Sequence, residues 1–268
     1  MDWFHILLLA IFQGVAEFLP ISSSGHLAVL GNWLGIDPEA NFSLGIVLHA
    51  GTLLAIVVFY MRSLLEFARL RRNRLAGMIV LGSVPAGVIG VLFKDRVEAW
   101  SGNMWVVGCC FLFTAALLFV SDRLRKKRDD SGRTASPVDR IGWKQALGIG
   151  AAQAVALMPG ISRSGSTIAA GLLAGLTPEA AAEFSFLLAI PAIGGAAFLE
   201  TVKLFRNGLG GVGDPGGLAL GFVVAAAVGY ISLALLLKVL RRGKLAVFAA
   251  YLVLIAAAVL IRQIVTAA

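Results

Sequence analysis

Charge is scarce in this sequence. Only 14% of its 268 residues are Asp, Glu, Lys or Arg, against roughly 25% in a soluble domain. Hydrophobic residues make up 59%, and apolar runs of about 20 residues recur, each long enough to cross a ~30 Å hydrocarbon core. A soluble protein is excluded. Acidic residues are fewer than basic ones, 15 against 23, which leaves a net charge of +8. Such a charge can signal nucleic acid, but no segment is long enough to build a water-facing domain that could carry a basic patch. Cysteine is almost missing. Cys109 and Cys110 are adjacent; neighbours rarely form a disulfide, and two thiols cannot hold a structural metal. They read as inert packing. The opening Met1–His5 has no basic n-region, so the first apolar stretch is expected to stay in the mature protein.

What is abundant is apolar sequence in long pieces. Six stretches read as spans: Phe42–Met61, Leu75–Phe93, Met104–Ser121, Phe184–Leu204, Leu218–Leu237 and Leu245–Val265. Two further regions, Trp3–Ile36 and Gln145–Leu176, are broken in the middle by Pro, Gly and Ser. The basic residues are clustered: five in Arg62–Arg74, eight in Arg123–Lys144 and four in Lys238–Lys244. These segments are expected to be cytoplasmic. The six spans then alternate only if both broken regions return to the side they entered from. They are expected to be re-entrant helical hairpins whose tips meet inside the protein, because irregular backbone at membrane depth must be buried or line a wet cavity.

The two broken regions are copies. At an offset of 140 residues, Gln13–Ala40 aligns without a gap on Gln153–Ala180, with 12 identities in 28 positions, where chance gives about two. The following spans end on opposite sides, as in an inverted-topology repeat. The expected architecture is an all-α polytopic membrane protein of six transmembrane helices plus two re-entrant hairpins. It forms one membrane domain, 1–268, with repeat one at about 3–121, repeat two at about 143–265 and a cytoplasmic loop at 122–142. Arg123–Arg140 reads as a mobile loop, and Asn207–Gly217, with six glycines, as a flexible outer one.

The first tip runs Gln13-Gly-Val-Ala-Glu17-Phe-Leu-Pro20-Ile-Ser22-Ser23-Ser24-Gly25-His26. Gln13 and Glu17 share a helix face. Pro20 ends the first arm, and the serines start the second, where side chains cap and N–H groups point free. Ionisable groups at such depth are costly and usually functional. The second tip runs Pro159-Gly-Ile-Ser162-Arg163-Ser164-Gly165-Ser166-Thr167. A guanidinium and hydroxyls at a helix N-terminus make an anion site suited to phosphate. The copies diverge where chemistry lies: Glu17 aligns with Leu157, Ser23 with Arg163 and His26 with Ser166. One tip supplies acid–base groups and a nucleophile; the other supplies an anion clamp of Ser162, Arg163, Ser164, Ser166 and Thr167, joined by Ser22.

Together the two tips resemble the two signatures of bacterial undecaprenyl-diphosphatases of the BacA/UppP type, and the resemblance covers essentially the whole chain. It implies hydrolysis of undecaprenyl diphosphate to the monophosphate and inorganic phosphate. This recycles the lipid carrier of cell-wall synthesis and gives resistance to bacitracin. It also implies a divalent cation, Mg2+ or Ca2+, and a site of Glu17, Ser23, His26, Ser162, Arg163 and Thr167 supported by Gln13. The family often has Glu at the position of Gln13; a neutral amide is a weaker metal ligand than a carboxylate. The nucleophile is left open among Ser23, His26 and a water held by Glu17.

The expected location is the bacterial inner membrane, with the site open to the outer side and the lipid tail leaving sideways into the bilayer. A homodimer through apolar span faces is compatible with the sequence. His49 reads as a packed imidazole. Glu39 and Glu179 read as first-turn helix charges, Glu200 as interfacial, and Glu183 as close to the second hairpin. The alternative function is a transporter or flippase for a polyprenyl phosphate, since inverted repeats and broken helices also build transporters. The phosphatidic-acid-phosphatase superfamily is set aside, because it needs a His where this chain has Ala169.

Overall fold

Pro20 and Pro159 interrupt what would otherwise be two continuous apolar helices, and the architecture follows from those breaks. The structure, a computed structural model, describes residues 2–132, 134–207 and 214–267; the side chains at 39, 94, 95, 98, 101, 200–207 and 267 lie outside the description. Glu39 and Glu200 are among these, and most of the glycine-rich Asn207–Gly217 segment lies outside the described residues. Every regular element among the described residues is helical: α1 (Trp3–Phe18), α2 (Ser23–Trp33), α3 (Pro38–Phe59), α4 (Met61–Ala68), α5 (Asn73–Leu92), α6 (Lys94–Ser101), α7 (Met104–Asp130), α8 (Trp143–Val155), α9 (Arg163–Leu173), α10 (Pro178–Asn207), α11 (Pro215–Arg241) and α12 (Leu245–Ala267).

Six segments are long and apolar enough to cross a membrane: Ala40–Phe59, Asn73–Leu92, Met104–Asp130, Pro178–Leu199, Pro215–Arg241 and Leu245–Thr266. The chain is a multi-pass membrane protein. Large apolar side chains such as Val91, Leu92 and Leu254 stand more than two-thirds exposed on these helices, which suits contact with lipid rather than water.

Local chemistry explains where the helices start. Asp37 caps α3, accepting from the Ala40 N–H at 2.9 Å, with Pro38 in the first turn. Asp214 and Pro215 repeat the device at α11, and Asn103 caps α7. Proline fits this position because the first-turn N–H has no intrahelical partner. Leu19, which precedes Pro20, is extended at φ −62°, ψ 143°, as steric clash with a following proline requires.

The elements pack crosswise. Helix α1 lies along α11 and α8 along α5; α7 pairs with α12, and α3 touches α11 and α10. The α5–α8 crossing is close because both helices present glycine: a Cβ at Gly150 would run into the Gly82 carbonyl oxygen. Phe18, Ile56, Phe111, Leu118, Ile168, Phe184 and Phe186 form the continuous core between them.

Arg123–Arg140 differs from the expected mobile loop. Helix α7 runs on to Asp130, and Val138–Arg140 forms a 3-10 turn. Arg, Leu and Lys are strong helix formers, and Lys127 and Arg128 in the last turn suit the negative end of the helix dipole. Arg128 also donates to the Leu172 carbonyl at 2.8 Å, tying this segment to the end of α9. Nearby, Arg72 bonds Asp139 at 2.6 Å and Glu183 at 2.9 Å. Burial works against its charge, but the bonds to Asp139 and Glu183 prevail and hold its pKa above the ordinary arginine value.

Candidate active site

The two helix breaks meet. A Cβ on Gly25 would lie 2.9 Å from the Gly160 Cα, and one on Gly165 3.2 Å from the Pro20 Cβ. Ser164 donates to the Leu19 carbonyl at 3.2 Å. Gly160 takes φ +93°, a conformation open to glycine and costly for other residues. Only a Cβ-free residue fits there in any case, since a Cβ would approach the Val107 carbonyl to 2.6 Å.

Glu17 is the hub. It is 6% exposed. Its Oε1 accepts from Arg163 Nη2 at 2.6 Å. Its Oε2 accepts from Ser23 Oγ at 2.6 Å and from Gln13 Nε2 at 3.1 Å. His49 Nε2 lies 3.5 Å from the same oxygen. The expected packed imidazole is therefore a neighbour of the buried Glu17 carboxylate. Nothing in the sequence signals this contact, because His49 stands alone in an apolar span and its partner lies 32 residues earlier.

Arg163 opens α9, with its guanidinium carbon 6.0 Å from the Phe186 ring centre. One of its teeth holds Glu17; the other, Nη1, is buried with no partner among the described atoms. Ser162 caps α9, accepting from the Gly165 N–H at 3.1 Å, and its own N–H donates to Thr114 Oγ1 at 3.2 Å. Its hydroxyl is 3.2 Å from that of Ser164. Thr167 bonds the Arg163 carbonyl and the Ser185 hydroxyl, so it braces the clamp from behind. Ser166 is buried, and its hydroxyl has no partner among the described residues.

Ser22 caps α2, accepting from the Gly25 N–H, with φ +70°. A non-glycine residue rarely adopts that angle, and such strain collects at functional sites. His26 is not bonded to Ser23. Its Nδ1 lies 2.8 Å from the Ser22 carbonyl and its Nε2 2.8 Å from the Tyr251 hydroxyl. Tyr251, on α12, was not visible as a site residue: 225 positions separate it from His26. Glu179 pairs with Arg241 at 3.2 Å, and Glu183 belongs to the Arg72 network. A cavity of about 780 Å³ lies at that network, lined by Glu66, Arg72, Asp139 and Glu183. It includes none of Glu17, Ser23 or Arg163, so the tight polar cluster and this open volume are separate places.

A carboxylate bonded to a hydroxyl, opposite a half-free guanidinium at a helix N-terminus, defines a membrane-embedded helical protein equipped to hold and attack a phosphate. The chain belongs to the family of bacitracin resistance protein BacA, whose model matches residues 6–258. It is 39% identical to the undecaprenyl-diphosphatase of Bacteroides thetaiotaomicron, over 98% of this chain and 100% of that one. It is 40% identical to that of Parabacteroides distasonis, over 94% of each. A third relative of the same name, from Sorangium cellulosum, is 40% identical over 97% of this chain and 86% of its own.

Proposed function

We propose that this chain is an undecaprenyl-diphosphate phosphatase of the bacterial inner membrane. The observation that carries the reading is the convergence of Ser23, Glu17 and Arg163 within 2.6 Å contacts at two meeting helix ends. Phosphoryl transfer needs neutralised oxygens and a placed nucleophile more than covalent help from the protein. The open tooth of Arg163 and the free N–H groups at the start of α9 take the terminal phosphate oxygens. Glu17 Oε2, already bonded to the Ser23 hydroxyl, is placed to take its proton. Ser23 Oγ then attacks the terminal phosphorus while its proton passes to Glu17 Oε2. The bond from that phosphorus to the bridging oxygen breaks, and undecaprenyl phosphate leaves with the electron pair. Water hydrolyses the phosphoserine and releases inorganic phosphate. Removing the diphosphate in this way deprives bacitracin of what it sequesters.

Among the described residues no three His, Cys, Asp or Glu side chains gather as a metal cage. Glu17 and the buried, unpartnered Oε1 of Gln13 are nevertheless hard oxygen donors. They fit Mg2+ or Ca2+, which complete their shells with phosphate and water. Bound there, such an ion would neutralise diphosphate charge.

The crosswise pairing of α1 with α11 and of α8 with α5 is what an inverted repeat produces, and it supports the re-entrant hairpin topology. The same architecture builds transporters, so the runner-up is polyprenyl-phosphate transport. The outer side is the proposed entry for the diphosphate, with the tail in the bilayer. The deciding experiment uses purified protein in liposomes, without a gradient or second protein. Release of phosphate from undecaprenyl diphosphate is expected. Movement of polyprenyl phosphate across the bilayer with no phosphate released would replace the phosphatase by the transporter.

A further inference from the structure

His26 is buried at 3% exposure and fully engaged. Its ring lies between Phe111, 5.1 Å away, and Tyr251, 5.7 Å away and nearly parallel at 11°. Because the Ser22 carbonyl can only accept, Nδ1 carries a proton and donates to it. A neutral imidazole then has only a lone pair at Nε2, so the Tyr251 hydroxyl donates there. The Ser22 carbonyl also accepts from the His26 backbone N–H at 3.1 Å. Two bonds from one residue thus hold the carbonyl of the strained Ser22, and the next residue is Ser23, bonded to Glu17.

We propose that Tyr251 is a positioning residue: its hydroxyl, donating to Nε2, fixes the orientation of His26 in the tautomer set by the Ser22 carbonyl, and His26 holds the strained first turn of α2 so that Ser23 meets Glu17. The proposal rests on the phosphatase reading above. The residues at the 140-residue offset support a specific role for the hydroxyl. Phe111 aligns with Tyr251 and Ser166 with His26; both rings of this aligned pair flank the imidazole, and the one that reaches Nε2 carries the hydroxyl. Ser166 at the equivalent place has a buried hydroxyl with no partner among the described residues. Packing alone would be served by Phe at both positions.

The test compares Tyr251→Phe, which keeps the ring, with Tyr251→Leu, which does not. Both are measured in the purified full chain with undecaprenyl diphosphate. Tyr251→Phe is expected to lower kcat by about tenfold with KM changed less than about twofold, the scale of one lost hydrogen bond acting on orientation. Tyr251→Leu should be no better. In the 15N spectrum of histidine-labelled protein, the His26 Nε2 resonance, assigned by its loss in His26→Gln, should shift in Tyr251→Phe. A Tyr251→Phe protein with wild-type kcat reduces Tyr251 to packing and overturns the proposal. So does an unchanged Nε2 resonance. If wild-type protein released no phosphate, the phosphatase reading would fall and the positioning role with it, while the spectrum would still judge the contact itself.

Discussion

At Glu17 both carboxylate oxygens are engaged, Oε1 by Arg163 and Oε2 by Ser23 and Gln13. Glu17→Gln therefore removes the base for Ser23 and strands a buried guanidinium. Losing charge placement of this kind typically costs about 10²–10³ in rate, so kcat for phosphate release is expected to fall by that much or more. Stability should fall too, by about 3–5 kcal/mol, since breaking one partner of a buried pair leaves the other uncompensated. Replacing both partners, Glu17→Gln with Arg163→Met, should recover much of that stability and none of the activity. Thermal unfolding in detergent beside the phosphate assay separates the two effects; a double variant less stable than Glu17→Gln would show that the pair is not a unit. Glu17 stands out in the sequence as a charge in an apolar arm just before Pro20, and Ser23 and Arg163 stand in the polar runs that break two apolar stretches; the structure brings the three together. His49 and Tyr251 do not stand out, since each lies in an apolar span and its contact, with Glu17 or with His26, comes from another helix. The bonds of His26 also change its place: the serine has Glu17, not the imidazole, as its hydrogen-bond acceptor.

At the scale of elements, helix boundaries were readable where a cap or proline marks them, and less so where polarity was mistaken for irregularity. Asp37 with Pro38 and Asp214 with Pro215 mark their starts plainly. Helix α10 begins at Pro178, six residues before the expected span, because the Ala-rich turn after Thr177 is helical and Thr177 Oγ1 caps the Ala180 N–H at 3.1 Å. The α5–α8 contact was not readable, because a glycine in an apolar helix does not announce which backbone it faces. It is testable by a pair of substitutions in one helix. Gly150→Ala drives a Cβ against the Gly82 carbonyl oxygen, backbone against backbone, whereas a Cβ at exposed Gly148 meets nothing within 4 Å. Overpacking of this kind costs about 1–3 kcal/mol, while Ala replacing Gly inside a helix gains roughly 0.5–1 kcal/mol where there is room. Gly150→Ala should lower the unfolding temperature and Gly148→Ala should leave it unchanged or raise it. Equal effects would mean that helix propensity, not the crossing, sets the result.

For the whole molecule, the clustering of basic residues in three segments of sequence becomes a cluster in space. Arg72, from the first segment, bonds Asp139 in the second. Arg125, also in the second, lies against Gly243 in the third. The Ser136 backbone pairs with Thr177 and Gly175 at the same end. One end of the helix bundle thus carries most of the positive charge, and the tendency of such charge to stay in the cytoplasm is the ground on which we propose that end as the inner one. Helix α12 starts beside this end and runs 23 residues, about 35 Å at 1.5 Å per residue, so its far end belongs on the other side of the bilayer. Two cysteines placed in a chain carrying Cys109→Ala and Cys110→Ala test this directly. Asp130→Cys lies at the end of α7, with the basic cluster, and Thr266→Cys near the end of α12. In intact cells a membrane-impermeant thiol reagent should label the cysteine at 266 and reach the one at 130 only after permeabilisation. The reverse pattern would invert the protein in the membrane, and the diphosphate entry proposed for the outer side would move to the cytoplasm. Labelling of both from one side would instead mean that α12 does not cross. The crosswise packing of the two halves would then need a cause other than an inverted repeat.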